Sequence, residues 1–384
     1  MPRRVLRHGL LALAVLLAGC GSFLDSITGK SSGPKPAELT PLANPRPVRV
    51  LWSARIGNAD RFTFSPALAG DAVYAAARDG SVTRLNAADG QERWRVSVER
   101  RISSGVGADG KTVVVASEDG EVIALEASSG AVRWRARVSS EVFTRPAVAG
   151  GVVLVRTADN RIYAFNDNDG RRRWLYQRAA ASLIMRAPGG LAVLDNTLFA
   201  GFPGGKLAAI AVANGALRWE GTISLPKGST ELERVSDVVG EPAVQGREVC
   251  AAAYQGRVAC FEAASGRQSW SRELSSLTGV SLDAGYAFVS DDRGSVHALD
   301  RSNGRSVWKQ DRLSLRQLSM PLPAGNAVAA GDFEGYIHFL ARDSGAFLAR
   351  HATGGGAIRA APVPLPNGAV LVQTQNGGLL ALAL

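Results

Sequence analysis

Short apolar runs separated by turn residues recur along most of this chain, at a spacing of about 42 residues. The clearest copy is DGEVIALEASSGAVRW, residues 119–134, in which Gly120 precedes the run 122–125, Gly130 follows it, and Trp134 ends the unit. Short apolar runs between turn residues are typical of β-strands, and an Asp-Gly pair favours a two-residue hairpin. The same frame recurs with a tryptophan at Gly80/Gly90/Trp94, Asn160/Gly170/Trp174, Gly205/Gly215/Trp219, Gly256/Gly266/Trp270 and Gly294/Gly304/Trp308.

Two incomplete copies lie after these six. A seventh copy has Ala349 in the tryptophan position, and an eighth starts at Gly377 but lacks its second half. A strand around Trp52 precedes the first complete copy and has no unit of its own. A repeat of this length with two turn glycines predicts four short strands per unit, as in a propeller blade. We therefore predict an all-β, eight-bladed β-propeller of four-stranded antiparallel blades, closed by pairing of the N-terminal strand with the C-terminal blade; the alternative is an open array.

The tryptophans and prolines of the repeat have structural interpretations. We expect each tryptophan to pack against a neighbouring blade: Trp52, Trp94, Trp134, Trp174, Trp219, Trp270 and Trp308. Proline cannot donate to a strand ladder, so it suits the innermost strand, which faces the central channel. A proline opens that predicted strand in five repeats, at Pro66, Pro146, Pro242, Pro321 and Pro362.

The N-terminus carries the pattern of a secretory signal. Residues 1–19 have a basic start and an apolar run too short to span a bilayer, and they end in small residues. The sequence Leu17-Ala18-Gly19-Cys20 resembles a bacterial lipobox, which predicts acylation of Cys20; an ordinary signal with a chance cysteine is the alternative. By resemblance to sorted lipoproteins, the following Gly21-Ser22 favours the outer membrane. Residues 20–47 are rich in Ser, Gly and Pro and predict a flexible tether before a propeller at 48–384.

Charge adds little to this interpretation. The formal net charge is +10, and removal of residues 1–19, with three arginines and no acid, leaves +7. The excess is spread along the chain, whereas nucleic-acid binding favours a concentrated basic stripe with exposed aromatics. We therefore expect no nucleic-acid partner, although acidic partners or anionic headgroups remain compatible with the charge.

The residues needed for catalysis are missing. The histidines, His8, His297, His338 and His351, have no metal-ligand spacing, and no nucleophile elbow or phosphate-binding loop occurs. We expect no catalytic residue, metal site or cofactor. Cys250 and Cys260 lie on the two arms of a predicted hairpin, either as two small buried residues or as a cross-strand disulfide.

Two connections are longer than the others. From a repeat tryptophan to the next turn glycine the usual count is 24 to 28 residues, but it is 31 after Trp174 and 37 after Trp219. Both connections flank the fourth predicted blade and lie at the same end of the disc. Insertions on one face of a repeat protein commonly form its binding face, although long loops are also tolerated without function.

The xxxSGxxxW ending of the unit resembles the PQQ-like repeat of quinoproteins. Two families share that repeat: quinone-dependent dehydrogenases, whose calcium and catalytic residues are not recognisable here, and the BamB family of outer-membrane assembly lipoproteins. Residues 182–186 (SLIMR), 228–238 (GSTELERVSDV) and 331–338 (GDFEGYIH) resemble segments of the BamB family. This resemblance covers essentially the whole chain.

The resemblance implies a function and a site. In the BamB family the two long connections meet the periplasmic domains of BamA, so Leu183, Met185, Arg186 and Asp237 would be contact residues. Val239 stands where the family can have a second Asp, so a second acidic contact is not expected. Loop packing of Leu183 and Met185, and an internal ion pair between Arg186 and Asp237, are the alternatives.

Membership would make the chain a non-enzymatic scaffold. It would be lipid-anchored in the outer membrane, face the periplasm, and help nascent β-barrel proteins fold and insert as part of the BAM complex. A small quinone-dependent oxidoreductase and a cell-envelope scaffold with another partner are the alternative functions.

Overall fold

The computed structural model describes residues 34–178 and 189–384. Their regular structure is all β, with 32 strands in eight four-stranded antiparallel sheets and no α-helix within those two ranges. None of these residues forms a helix long and apolar enough to cross a membrane. The predicted eight-bladed propeller is therefore confirmed.

Each blade is a meander of four strands, numbered from the central channel outwards. Blade 1 contains β2 (Ala67–Ala69), β3 (Ala72–Ala76), β4 (Ser81–Asn86) and β5 (Glu92–Ser97). Blade 2 contains β6 (Gly107–Ala108), β7 (Thr112–Ala116), β8 (Glu121–Glu126) and β9 (Val132–Arg137). Blade 3 contains β10 (Ala147–Ala149), β11 (Val152–Arg156), β12 (Ile162–Asn166) and β13 (Arg172–Tyr176). Blade 4 contains β14 (Leu191–Leu194), β15 (Thr197–Phe202), β16 (Lys206–Ala211) and β17 (Leu217–Thr222).

The second half of the ring repeats this plan. Blade 5 contains β18 (Val238–Gln245), β19 (Glu248–Ala253), β20 (Arg257–Glu262) and β21 (Gln268–Glu273). Blade 6 contains β22 (Ser276–Leu282), β23 (Tyr286–Asp291), β24 (Val296–Asp300) and β25 (Ser306–Gln310). Blade 7 contains β26 (Leu322–Ala324), β27 (Ala327–Gly331), β28 (Tyr336–Ala341) and β29 (Phe347–Ala352). Blade 8 contains β30 (Val363–Pro364), β31 (Val370–Gln373), β32 (Gly378–Ala383) and, as its outer strand, β1 (Arg49–Arg55).

Ring closure follows the predicted pairing. Strand β1 runs antiparallel to β32, with Trp52 opposite Ala381 and Arg55 opposite Gly378. The outer strand of blade 8 therefore comes from the start of the chain and its inner strands from the end. This pairing covers the strand edges that β1 and β32 would otherwise leave open.

Each repeat tryptophan joins its blade to the next one. Trp134 of blade 2 places its ring against Gly170 of blade 3, where a Cβ would come within 2.6 Å of ring atoms and where φ is +69°. The indole N–H of Trp134 donates to the carbonyl of Asp167 at 2.7 Å. The same bond, at 2.7 to 3.1 Å, joins the other tryptophans to the carbonyl three residues before the next turn glycine: Ala87, Ala127, Val212, Ala263, Arg301 and Arg342.

Ala349 takes the tryptophan position at the one interface that has no such turn. In blade 8 the third and fourth strands, β32 and β1, are not consecutive in sequence, so no glycine turn joins them. Residues that lead into β1 occupy this place: the N–H of Arg46 donates to the carbonyl of Leu348 at 2.8 Å, and Val48 and Leu348 pack against the same core cluster. A tryptophan at position 349 would therefore have no turn to cover.

Residues 37–48, called here the N-terminal strap, contact blade 7 and the end of blade 6. The N–H of Ala37 donates to the carbonyl of Ser314 at 2.9 Å, and Arg316 Nη1 donates to the carbonyl of Ala37 at 2.9 Å. Arg350 Nη1 donates to the carbonyl of Thr40 at 3.1 Å. The sequence predicts a flexible tether through residue 47, whereas contact with the propeller begins at Ala37.

Cys250 and Cys260 face each other on β19 and β20 of blade 5 and form a disulfide. Both residues are fully buried. Replacement of both by alanine is expected to lower the free energy of unfolding by about 2–3 kcal/mol, because the bridge closes a short loop in the unfolded chain. Urea unfolding followed by far-UV circular dichroism measures the change.

The reductant dithiothreitol provides the control for this prediction. The wild-type protein, unfolded and refolded under reducing conditions, should match the double alanine variant, whereas reductant should not change the variant. A variant as stable as the oxidised wild type would show that the bridge adds nothing to stability.

Candidate partner-binding site

The two long connections flank blade 4. The first, residues 177–190, joins β13 to β14, and the second, residues 223–237, joins β17 to β18. The predicted contact residues Leu183, Met185 and Arg186 fall in 179–188 and lie outside the described residues. Asp237 lies within the described residues, as do residues 177–178, 189–190 and 223–236 of the two connections.

The connections meet at the innermost strand of blade 5. The N–H of Gly190 donates to the carbonyl of Gly240 at 2.9 Å, and Gly189 forms a parallel bridge with Gly240. A Cβ on Gly190 would lie 2.6 Å from atoms of Glu241, so only glycine allows this approach. The end of the first connection is thereby fixed to the strand that the second connection enters.

An ion pair joins blades 3 and 5 beside this contact. Arg145 Nη2 donates to both carboxylate oxygens of Glu241, at 2.9 and 2.8 Å. Arg145 and Glu241 hold the same repeat position, immediately before the prolines Pro146 and Pro242. The pair is about one-third exposed, so it contributes little to stability, but it links the strands on either side of blade 4.

The second connection contains one capped turn. Glu233 Oε2 accepts from the N–H groups of Thr230 at 3.1 Å and Ser229 at 2.8 Å, and the N–H of Glu233 donates to Thr230 Oγ1 at 3.2 Å. This reciprocal pattern is a capping box, and the backbone N–H groups of Thr230 and Ser229 lower the pKa of Glu233. The turn presents Leu232, which is 73% exposed and the most exposed large apolar side chain among the described residues.

Asp237 lies in the wall of a cavity of about 360 Å³ between blades 3, 4 and 5. Only 5% of Asp237 is exposed, and its Oδ1 accepts from the N–H of Gly204 at 3.3 Å. Its burial favours a positioning role, in which the carboxylate shapes the end of the connection. A direct contact with a partner would have to reach it through the cavity.

Arg156 is the buried cation of the same cavity. It is 7% exposed, its Nη2 donates to Asn160 Oδ1 at 3.2 Å, and its guanidinium lies 5.1 Å from the ring centre of Phe202. Burial lowers its pKa to about 10, and the negative charge of Asp237 opposes that shift. Arg156 therefore stays protonated at neutral pH, and its charge is balanced in part by Asp237.

Two of the three histidines of the propeller, His297 and His338, belong to structural pairs with aspartates. His297 Nε2 lies 2.9 Å from Asp291 Oδ2 in blade 6, and His338 Nε2 lies 2.9 Å from Asp332 Oδ2 in blade 7. Within residues 34–178 and 189–384, no group of three or more His, Cys, Asp or Glu side chains is placed to hold a metal ion.

The fold and the glycine–tryptophan repeat define an eight-bladed propeller of the PQQ-like repeat class. A family model described as outer membrane protein assembly factor BamB matches residues 78–310. A relative of that name from Bordetella pertussis is 44% identical over 381 residues, which cover 99% of this chain and 97% of the relative. The chain belongs to the BamB family.

Solved structures agree with this assignment. The crystal structure of BamB from Moraxella catarrhalis matches with a TM-score of 0.81 and 28% identity, covering 88% of this chain and 100% of that one. A quinohemoprotein alcohol dehydrogenase from Comamonas testosteroni matches with a TM-score of 0.66 and 13% identity, covering 87% of this chain and 76% of that one. At that identity the second likeness concerns the fold alone.

Proposed function

We propose that this protein is a scaffold of the outer-membrane β-barrel assembly machinery. Its role is to hold the machinery in position while nascent β-barrel proteins fold and insert, and it catalyses no reaction. One observation carries the proposal: in a chain of the BamB family, the first connection is fixed at Gly190 to Gly240, in the strand that the second connection enters. A rigid disc then presents both connections as one surface.

The partner of this surface is the periplasmic part of BamA. Leu183, Met185 and Arg186 are the proposed contact residues of the first connection, by resemblance to the family. Asp237 acts from its buried position, since its carboxylate holds the backbone of Gly204 beside the second connection. Arginine is among the residue types enriched in binding hot spots, which supports Arg186 as a contact residue.

The protein acts at the periplasmic face of the outer membrane. In this proposal residues 1–19 are removed as a signal, and Cys20 is acylated and anchors the chain. More than one acyl chain is needed for stable anchoring, because a single chain binds membranes only marginally.

Calorimetric titration with the periplasmic domains of BamA from the same organism tests the partner. Arg186→Ala and Asp237→Ala are each expected to weaken binding at least tenfold, or about 1.4 kcal/mol. The arginine variant loses a contact, whereas the aspartate variant loses the hydrogen bond that positions the connection.

Arg172→Ala is the matched control, because Arg172 is an exposed arginine on the outer strand of blade 3 and forms no ion pair among the described residues. It should bind like the wild type. Circular dichroism of every variant must show an intact fold. Undiminished binding by both site variants would move the interface away from these connections, and absence of any binding would contradict BamA as the partner.

A further inference from the structure

Arg156 occupies a repeat position that is small in most blades. The position lies at or near the end of each second strand, four residues before the first turn residue of the repeat, and faces Ile162 of the third strand in blade 3. A large residue stands there only in blade 3, with Arg156, and in blade 8, with Gln373. The other six blades have alanine, glycine or serine: Ala76, Ala116, Gly201, Ala252, Ser290 and Gly331. The propeller fold therefore does not require an arginine at this position.

Arg156 also lacks bonds that satisfy the other buried arginine of the described chain. Arg316 is 2% exposed, and each of its nitrogens donates: Nε to Asp332, Nη1 to the carbonyl of Ala37 and Nη2 to Glu334. In Arg156 the buried Nη1 has no hydrogen-bond acceptor within residues 34–178 and 189–384. A buried cation normally has a hydrogen-bonding acceptor and a counter-charge. A residue that breaks the repeat without such compensation is typical of a functional position.

The carboxylates around the cavity do not satisfy Arg156. Among charged groups only Asp237 affects the pKa of Arg156, and it opposes only part of the shift that burial causes. Asp159 is paired with Arg161 at 3.2 Å, and Glu141 lies in the half-buried part of the cavity wall. Neither of these two acids contributes to the pKa of Arg156. The Nη1 donor is therefore available to a further negatively charged oxygen.

The cavity lies where a partner bound to the two connections would reach it. Gly189, at the end of the first connection, and Asp237, at the end of the second, both line its wall. A Cβ on Gly189 would lie 2.4 Å from Arg156 Nη1, so the guanidinium is directly beside the first connection. The volume of about 360 Å³ accommodates a whole acidic side chain, since one water takes about 30 Å³ of the liquid.

We propose that Arg156 is the buried contact for an aspartate or glutamate side chain of the partner, whose carboxylate enters the cavity and accepts from Nη1. The inference rests on the proposed function, because the partner is the protein that the two connections bind. Hydrogen bonds between arginine and a carboxylate are among the stronger ones in proteins. A partner without the acid would leave the guanidinium buried and unpaired, so Arg156 also contributes to the choice of partner.

Calorimetric titration with the periplasmic domains of BamA tests the contact, using the chain from residue 20 onward with Cys20→Ser. Arg156→Ala introduces the residue that blades 1, 2 and 5 have at this position, so its urea midpoint should be no lower than that of the wild type. We expect it to bind at least tenfold more weakly. Arg156→Lys keeps the charge but loses the planar group, and should bind with an intermediate affinity.

Gln373→Ala is the matched control, because Gln373 holds the same repeat position in blade 8 and is 4% exposed. It should bind like the wild type. Equal weakening by Gln373→Ala and Arg156→Ala would show a general effect on the propeller and overturn the proposal.

A double-mutant cycle separates a direct contact from a positioning role. Each exposed aspartate and glutamate of the BamA domains is changed to alanine in turn. We expect one of these changes to weaken binding at least tenfold with the wild type but less than twofold with Arg156→Ala, because contacting residues are coupled. Arg156→Lys replaces the alanine variant in this cycle if the latter does not fold.

The outcomes distinguish this contact from the proposed function. If Arg156→Ala binds like the wild type, or if no acidic residue of the BamA domains is coupled to Arg156, the buried contact is overturned while BamA stays the partner. Absence of any binding by the wild type would overturn both the partner and the contact.

Discussion

Replacement of Asp332 by alanine is expected to lower the free energy of unfolding by about 3 kcal/mol, because it leaves a buried arginine without its main partner. Asp332 is fully buried, and its Oδ2 accepts from Arg316 Nε at 2.7 Å and from His338 Nε2 at 2.9 Å. Its Oδ1 accepts from the N–H groups of Glu334 at 3.0 Å and Tyr336 at 2.9 Å. Four donors therefore lose their acceptor at once.

The protonation states support this expectation. Burial by itself would raise the pKa of Asp332, but the hydrogen bond and charge of His338, with the N–H of Tyr336 and Arg316, hold it below its ordinary value. Burial lowers the pKa of His338, and Asp332 opposes this shift only in part. At neutral pH the carboxylate is charged and the imidazole neutral, so Arg316 carries the balancing charge. Glu334 also pairs with Arg316, which keeps the expected cost at the lower end of the range for broken buried pairs.

Guanidinium unfolding followed by far-UV circular dichroism measures this cost, and Asp291→Ala is the matched control. Asp291 holds the same repeat position in blade 6 and accepts from His297 at 2.9 Å, but no arginine pairs with it among the described residues. We expect the control to lose about 1–2 kcal/mol. Because Arg316 also holds Ala37, Asp332→Ala should speed proteolysis within the strap. Equal losses of unfolding free energy in Asp332→Ala and Asp291→Ala would show that the bond between Asp332 and Arg316 adds nothing to stability.

Replacement of Trp134 by alanine is expected to cost about 3–5 kcal/mol, the range for a large aromatic side chain removed from a packed core. Trp134 is 7% exposed and covers Gly170 of the next blade, with Phe165 at a ring separation of 6.0 Å. Removal leaves a cavity between blades 2 and 3 and an unpaired carbonyl at Asp167. Circular dichroism during denaturation reports the loss without relying on tryptophan emission.

Trp134→Phe separates the two contributions of the side chain. Phenylalanine keeps most of the ring but cannot donate to the carbonyl of Asp167, so a loss of about 1 kcal/mol is expected. If the alanine variant also lost only about 1 kcal/mol, the indole ring would contribute nothing beyond its hydrogen bond. The packing of Trp134 between blades 2 and 3 would then not stabilise the protein.

The repeat pattern was sufficient to predict the fold, because every blade uses the same turn and strand positions. Even ring closure was predictable, since the partial copies around Trp52 and Gly377 are complementary. The strap was not. Its Pro-rich composition indicates a flexible chain, and its order depends on contacts with Ser314 and Leu348, far away in sequence.

The candidate site was predicted less completely. Loop length identified the two connections, and the family resemblance identified Asp237, but no pattern indicated that its carboxylate would be buried. Arg145 and Glu241 were missed, although opposite charges at one repeat position in blades 3 and 5 could have been noticed. The cavity around Arg156 could not be predicted, because it arises where three blades and two connections meet.

Blade 8 determines when the protein can reach its native state. A ribosome makes β1 at the start of synthesis, yet its neighbour β32 appears more than 300 residues later. Until then β1 has no strand to pair with, and each end blade of the unclosed ring would expose an apolar sheet face, which is prone to aggregation. Closure of the ring therefore follows synthesis of β32, and a chain that lacks β32 cannot form blade 8.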